Sequence, residues 1–348
     1  MGFVSGWSLA RTRFLVQMVM FVVTVYGGVV IGPYAADKIS TALPALSCVY
    51  DQKNGAYCAL RPFQHQTSHQ VGATLAKTGS VDWNVLKPLF MTLLAFLAFF
   101  VVLNKAFCGW VCPLGATQEF LYAIGRRLRL VSRGLPGGWL NRVRAVKWLV
   151  LLLFVFVLPL AAGLGWLPHA AGEAWCRVCP SRLLTTLLTG DGEQMALAMG
   201  DAGDIVLGVI GNFLFGFVVI AAFVVRQPFC RICPMLALQA IFKRIAPLRL
   251  TKNLHPNCGR CHSCHAACPM EIPEVASREV ATVFHDDCTL CGRCMEFCPQ
   301  QSVLQLRCGP FTLYHSRPET FRARSREELA DGSLRQVTLT NRNKTTGS

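Results

Sequence analysis

Charge is what this 348-residue chain has least of. Asp, Glu, Lys and Arg make up 15% of it against 53% hydrophobic residues, and mean hydropathy is +0.40. A soluble protein of this length needs more charged surface than that, so bilayer spans must account for the composition. Acidic residues are the scarcest charges, 19 against 34 Lys and Arg, for a formal net charge of +15. No interleaved basic and aromatic surface accompanies the excess, which leaves nucleic-acid binding without support. No P-loop and no dinucleotide GxGxxG is visible, so NAD(P)H is not expected as a direct partner.

Long hydrophobic runs are plentiful. Four windows read as transmembrane helices: Phe14 to Ile31, Leu89 to Leu103, Trp148 to Leu167 and Ile205 to Val225. The second is short, but Val85 and Leu86, with Lys87 at the interface, extend it. None of the eight histidines falls inside these windows, which excludes a transmembrane b-type haem with axial histidines. No Asp or Glu lies at the centre of a span, so a pump with an intramembrane carboxylate relay is not supported.

Loop charges orient the spans. Arg11 and Arg13 precede the first. Lys105, Arg126, Arg127, Arg129, Arg133, Arg142, Arg144 and Lys147 crowd the segment between the second and third. Arg226, Arg231, Lys243, Arg244, Arg249 and Lys252 follow the fourth. The positive-inside rule puts all three groups in the cytoplasm, where anionic lipid also attracts them. The loops from Gly32 to Asp82 and from Pro168 to Asp204 carry Asp37, Asp51, Glu173, Asp191 and Glu193 and suit the outer face. Gly32-Pro33-Tyr34 follows the first apolar stretch in place of a small-residue cleavage site, so that stretch reads as a retained anchor.

Cysteine is the counterweight to the missing charge, with 17 in the chain. Cys258, Cys261, Cys264 and Cys268 before Pro269 repeat as Cys288, Cys291, Cys294 and Cys298 before Pro299. This is the C-x2-C-x2-C-x3-C-P run of bacterial two-cluster ferredoxins, whose fourth cysteine ligates the other cluster. The ligand sets are therefore expected to cross. One [4Fe-4S] cluster would take Cys258, Cys261, Cys264 and Cys298; the other would take Cys288, Cys291, Cys294 and Cys268. Zinc also accepts four thiolates, but its sites pair two knuckles across a longer spacer and do not need two such runs. Disulfides do not suit a segment that faces a reducing cytoplasm.

The remaining cysteines are mostly paired. Cys108 and Cys112 follow the second span, Cys230 and Cys233 the fourth, each pair ending in Pro before a helical pattern. Together they offer four thiolates on the inner face, enough for a third metal centre, or else two pairs of redox-active or packed thiols. A helix N-terminus and Arg231 would favour thiolates there. On the outer side Cys48 and Cys58 lie in the first loop, Cys176 and Cys179 in the second. Disulfides are the ordinary fate of such a set; a further cluster, completing a relay across the bilayer, is the alternative. Cys308 is left over and reads as structural.

His65 and His69, four apart in the first outer loop near Tyr57 and Cys58, would share a helix face. They could serve as a base for quinol protons or as a metal site, or be solvated surface residues. Gly72-Ala73-Thr74 matches the core of a covalent FMN motif, but Val71 replaces the usual Ser or Thr. The loop is also too small for a flavin domain, so FMN on Thr74 is not expected.

From Cys108 to Phe120, at Cys230 to Pro234 and through the double ferredoxin run, the sequence resembles the polyferredoxin-type membrane iron–sulfur proteins, the NapH-, NosR-, MauN- and CcoG-like group. The likeness runs in order from about Leu89 to Gln300. It implies a multi-pass bacterial inner-membrane subunit, such as a quinol dehydrogenase component, and the loop charges put its N-terminus and ferredoxin domain in the cytoplasm. Such a subunit links the quinone pool or a cytoplasmic donor to a periplasmic partner, a cytochrome c or an oxidoreductase. The MauN and CcoG likenesses also allow a maturation factor that supplies electrons for cofactor biogenesis or metal reduction. Two features depart from the group's pattern: the Cys230 motif has two residues between its cysteines, where the Cys108 motif has three, and the outer Cys176 to Pro180 motif is not expected of every member; the large outer flavin domain of NosR is also not seen. The expected fold is membrane all-α over residues 1–252 with four transmembrane helices. A small α+β two-[4Fe-4S] ferredoxin domain follows over 253–315, then a polar, mobile tail over 316–348.

Overall fold

The computed structural model describes residues 8–31, 60–130, 137–190, 192, 195–196, 202–256, 258 and 260–330. In chain order its helices begin with α1 (Leu9–Ile31), α2 (Leu60–His65), α3 (Ala73–Thr78), α4 (Trp83–Leu103) and α5 (Pro113–Arg127). Then come α6 (Gly137–Val150), α7 (Leu158–Gly163), α8 (Ala174–Val178), α9 (Pro180–Leu188), α10 (Ala202–Val224) and α11 (Pro234–Ile241). The last are α12 (Ser263–Ala267), α13 (Arg293–Glu296) and α14 (Pro318–Ala330). π turns link α2 to α3, α4 to α5 and α6 to α7.

Three helical runs are long and apolar enough to cross a membrane, by length and composition: Leu9–Tyr26, Leu140–Gly163 and Ala202–Val224. The expected second window falls in α4, where the qualifying apolar stretch, Trp83–Ala98, is shorter. The helix itself runs 21 residues, from Trp83 to Leu103, with Pro88 inside it.

Between these long helices the two loops that the sequence suggests are outer, where described, turn into the bundle. The rod formed by α2, its π turn and α3 packs on α7, with Gly72 against Gly163. A Cβ on Gly72 would lie 2.8 Å from the Gly163 Cα, so only glycine permits the approach. Phe63 meets Phe96 edge-on at 5.7 Å, and Phe96 lies roughly 20 Å along α4 from Trp83 at 1.5 Å per residue. The rod thus starts deep in the bundle and climbs outward. The segment from His169 to Leu188 makes a similar excursion. Gly203 at the start of α10 sits by Pro168, and Gly211 further down lies against the Arg177 carbonyl. The chain then returns along α9, whose Leu188 carbonyl accepts a 3.3 Å hydrogen bond from Tyr26 late in α1. What the sequence suggests is an outer surface loop around Cys176 is therefore a re-entrant hairpin. Its tip is buried because α9 turns Leu183, Leu184, Thr185 and Thr186 inward, and non-helical backbone is tolerated at such depth only inside protein.

The C-terminal part carries a three-stranded antiparallel sheet, order β1-β2-β3, of β1 (Leu248–Lys252), β2 (Leu304–Cys308) and β3 (Phe311–His315). Leu250 pairs with Leu306, and a bulge interrupts β2 and β3 at Leu306/Arg307. Ser316 ties off the sheet. Its hydroxyl donates to the Gln300 carbonyl at 2.7 Å and accepts from the Val303 and Leu304 amides at 3.1 and 3.2 Å. Residues 318–330, read from the sequence as part of the polar tail, form α14, whose Arg324 lies 3.6 Å from Glu296. Residues 331–348 lie outside the described part.

This unit is docked on the bundle by cations that the sequence assigned to the lipid surface. Asp287, fully buried, takes Arg144 Nε at 2.7 Å and an ion pair from Lys147. Arg231 reaches Glu271 at 3.0 Å and the Pro269 carbonyl at 3.1 Å. Lys105 donates to the His285 carbonyl at 2.5 Å, and Lys243 pairs with Asp286. Lys147 and Arg231 are 1% exposed and Lys105 2%. A charge that deep needs a counter-charge or hydrogen bonds, and here the ferredoxin unit supplies them.

Candidate metal centre

Each ferredoxin run folds as a tight loop ending in a short helix. At the residue after the second cysteine the backbone turns left-handed, at His262 (φ 47°) and Gly292 (φ 76°), the equivalent position in each run. After the fourth cysteine the chain straightens at proline, which forces its predecessor to extend.

The thiols group across the two runs. Cys268, Cys288, Cys291 and Cys294 line one cavity, closed by Pro269, Met270, Ile272 and Leu290. Burial pushes the Cys268 thiol up to about 12, with Cys291 and Cys288 adding to the effect. Cys294 is likewise raised by burial and then by Cys291, Cys268 and Cys288. In the other group Cys264 is pushed to about 12 by burial, then by Cys298 and Cys261, while Cys298 is raised by burial and by Cys261 and Cys258. Each grouping thus brings a fourth cysteine to the first three of the other run, and Cys264 of the second grouping also acts on Cys294. Crowded, buried thiols keep their protons unless a cation displaces them, which is the chemistry of a thiolate-ligated metal. Among the described residues no three His, Cys, Asp or Glu side chains close round a point fit for a single ion. Four thiols in each set match in number the four-cysteine ligation of a [4Fe-4S] cluster.

The Cys108 and Cys230 motifs also come together. Cys112 (φ −61°, ψ 119°) and Cys233 (φ −69°, ψ 123°) take the same extended conformation before a proline that opens α5 and α11, a preferred helix start. The Cys233 thiol is raised well above its ordinary value by burial, then by Cys108, Cys230 and Cys179. Two glutamines cross-brace the motifs. Gln118 accepts the Phe229 amide at 3.0 Å and turns its own amide to the Cys230 sulfur at 3.9 Å. Gln239 accepts from the Cys108 thiol at 3.2 Å. The sequence reading missed both, though each stands five residues after its motif's proline. It also missed Glu119, which accepts from Arg13, Gln17 and Gln227. Burial would raise this carboxyl, but Arg13 beside it holds it below the usual range.

This inner group abuts the second ferredoxin loop. Arg13 and Gln17 hold the Gly109 carbonyl at 2.9 and 3.1 Å, and Trp110 Nε1 donates to the Leu290 carbonyl at 3.0 Å. A Cβ on Gly109 would fall 2.5 Å from the Thr289 oxygen and 3.4 Å from the Cys291 Cβ. Only glycine lets the two loops meet.

On the outer side, Cys48 and Cys58 lie outside the described residues. Cys176 is buried and Cys179 half-buried in the hairpin described above. His65 and His69 do share a face, with ring centroids 4.5 Å apart. The structure adds His169, 5.1 Å from His69, and Glu173, whose carboxylate lies 3.8 Å from His65 and 3.3 Å from Arg61. Burial, then His65 and His169, lowers His69 below its ordinary value. Thr74 sits within α3, its carbonyl accepting from Thr78.

Comparison with known proteins agrees with this grouping. A family described as "4Fe-4S binding domain" matches residues 87–131 and 207–253, the segments that carry Cys108/Cys112 and Cys230/Cys233, and a second of the same description matches 281–303. The putative electron transport protein YccM of Escherichia coli is 30% identical over 62% of this chain and 54% of its own length. The regulatory protein NosR of Pseudomonas aeruginosa is 28% identical over 61% of this chain and 27% of its own. The ferredoxin-type protein NapH of E. coli is 25% identical over 69% of this chain and 71% of its own. The chain thus spans about half of YccM and about a quarter of NosR. No solved structure matches. In its two 4Fe-4S binding motif types, its apolar helices long enough to span a bilayer and its relatives, the chain is similar to the polyferredoxin-type iron–sulfur electron transport proteins.

Proposed function

We propose that this chain transfers electrons within a bacterial inner membrane, between quinol or a cytoplasmic donor and a periplasmic partner such as a cytochrome c or an oxidoreductase. Cys258, Cys261, Cys264 and Cys298 would hold one [4Fe-4S] cluster and Cys268, Cys288, Cys291 and Cys294 a second. Cys108, Cys112, Cys230 and Cys233 would hold a third centre. Such clusters supply one-electron chemistry at potentials set by burial, charge and hydrogen bonding. The observation that carries the reading is the contact of Gly109 and Trp110 with the loop around Cys291. It brings the loop of the inner thiol group into direct contact with the ferredoxin unit.

In this reading α4 is a fourth span, and the N-terminus and the ferredoxin unit, over 253–315, are cytoplasmic. On the same reading the His65, His69, His169 and Glu173 group would offer bases for the protons of a quinol. The test is iron and acid-labile sulfide per chain on anaerobically purified protein, with EPR before and after dithionite and after a short-chain quinol. About eight iron corresponds to the ferredoxin pair alone and about twelve adds the inner centre. Zinc in place of iron, or spectra that neither reductant changes, would refute electron transfer.

A further inference from the structure

The tip of the outer hairpin is built like the inner Cys230 motif. Cys176-Arg177-Val178-Cys179-Pro180 parallels Cys230-Arg231-Ile232-Cys233-Pro234. Cys179 (φ −68°, ψ 120°) and Cys233 (φ −69°, ψ 123°) share one backbone conformation, and each is followed by a proline that opens a helix. The bracing repeats too. Gln64 accepts the Trp175 amide at 2.9 Å and donates to the Cys176 sulfur at 3.2 Å, as Gln118 does for Phe229 and Cys230. A buried glutamine that binds both the amide before the first cysteine and that cysteine's sulfur fixes where the sulfur points. Two such braces on two unlike stretches of chain indicate one template used twice.

The two tips meet inside the bundle. Trp175 stacks on Phe229, with ring centroids 6.1 Å apart and planes 13° from parallel. Trp175 also meets Phe154 edge-on at 6.1 Å, within the Leu140–Gly163 span. Gly211, whose Cβ would fall 2.7 Å from the Arg177 carbonyl, lies roughly 13 Å along α10 from Ala202 at 1.5 Å per residue. Cys179 and Cys233 pack against the same buried core.

We infer that Cys176 and Cys179 are thiolate ligands of a further iron–sulfur centre, held within the bundle and facing the inner group across the Trp175–Phe229 stack. This rests on the proposal that the inner group is itself a cluster site, and it extends the line of sulfur from Cys291 past Cys108 and Cys233 to Cys179 and Cys176. One-electron exchange along that line makes and breaks no bond. The family matches stop short of this segment, at residue 131 on one side and 207 on the other.

The test uses the full chain, purified anaerobically in detergent, as wild type and as C176S/C179S. The double variant is expected to hold about four fewer iron and sulfide per chain than wild type, with the ferredoxin EPR signals intact. Equal iron in the two proteins overturns the inference while leaving the proposed function standing. Wild type that lacks even the ferredoxin iron overturns that function instead. Should the double variant not accumulate, Cys176→Ser alone keeps an oxygen ligand in place. A shifted g-value or potential in one signal is then expected, and a spectrum identical to wild type overturns the assignment.

Discussion

Replacing Asp287 by Ala should loosen the ferredoxin unit from the bundle without unfolding either. Asp287 is fully buried between Arg144 and Lys147, and Lys147 is itself 1% exposed. Removing the carboxylate therefore strands an ammonium with no water to turn to. Breaking a buried pair in this way costs about 3 to 5 kcal/mol, and at about 1.4 kcal/mol per tenfold the lower figure is about 100-fold in the docking equilibrium. The other ties, Arg231 to Glu271, Lys243 to Asp286 and Trp110 to Leu290, remain. The unit should thus open more often, not leave. Hydrogen exchange at Thr289 and Leu290, on the docked face, should speed up by about that 100-fold, while the β1–β2 amides change little. Because the pair is buried, raising the salt should not reproduce the effect. Acceleration of less than about fivefold, about 1 kcal/mol, would mean that Asp287 does not hold the interface.

Gly109→Ala would drive a methyl into the Thr289 carbonyl. A shift of one loop costing about 1 to 3 kcal/mol is expected, read as a lower melting temperature and slower reduction of the inner group once the ferredoxin clusters are reduced. Gln118→Leu removes the acceptor of the buried Phe229 amide, and an unpaired buried donor costs about 1 to 3 kcal/mol; loss of inner-face iron with retention of ferredoxin iron is the expected assay result. His285 is held down at about 4 mainly by burial, against an unfolded value of about 6.5. Its contribution is complete above about pH 6.5 and is lost as the pH falls towards 4, because the unfolded chain takes up the proton first. Thermal melts across that window should show a steeper acid loss in wild type than in His285→Gln.

The sequence was most informative where ligands sit close together in the chain. The double run from Cys258 to Cys298 announces both its loops because three cysteines two residues apart constrain the local backbone, and the Cys-Pro pairs were visible for the same reason. What was hidden depends on distant pairing. Gln64 and Cys176 are 112 residues apart, as are Gln118 and Cys230, and no periodicity reports such a contact. The re-entrant hairpin escaped notice because α9, from Pro180 to Leu188, is far too short to register as a span and its Thr and Arg residues read as loop. His169 and Glu173 joined His65 and His69 only through the fold. The cations were misjudged more instructively. Lys105, Lys147 and Arg231 have the composition of a membrane-flanking surface, and nothing local distinguishes a lysine that faces lipid from one that will be covered by Asp287 or the His285 carbonyl.

That covering imposes an order of events on biogenesis. In the proposed orientation these cations retain their side chains on the cytoplasmic side while the apolar helices insert, and at that stage the ferredoxin segment, which is C-terminal to them all, has yet to emerge or fold. Once Asp287, Glu271 and the His285 carbonyl close over them, their charge is no longer presented to lipid headgroups. Orientation must therefore be decided first and docking second. A chain that acquired its docked ferredoxin early would have neutralised the signal by which it is positioned.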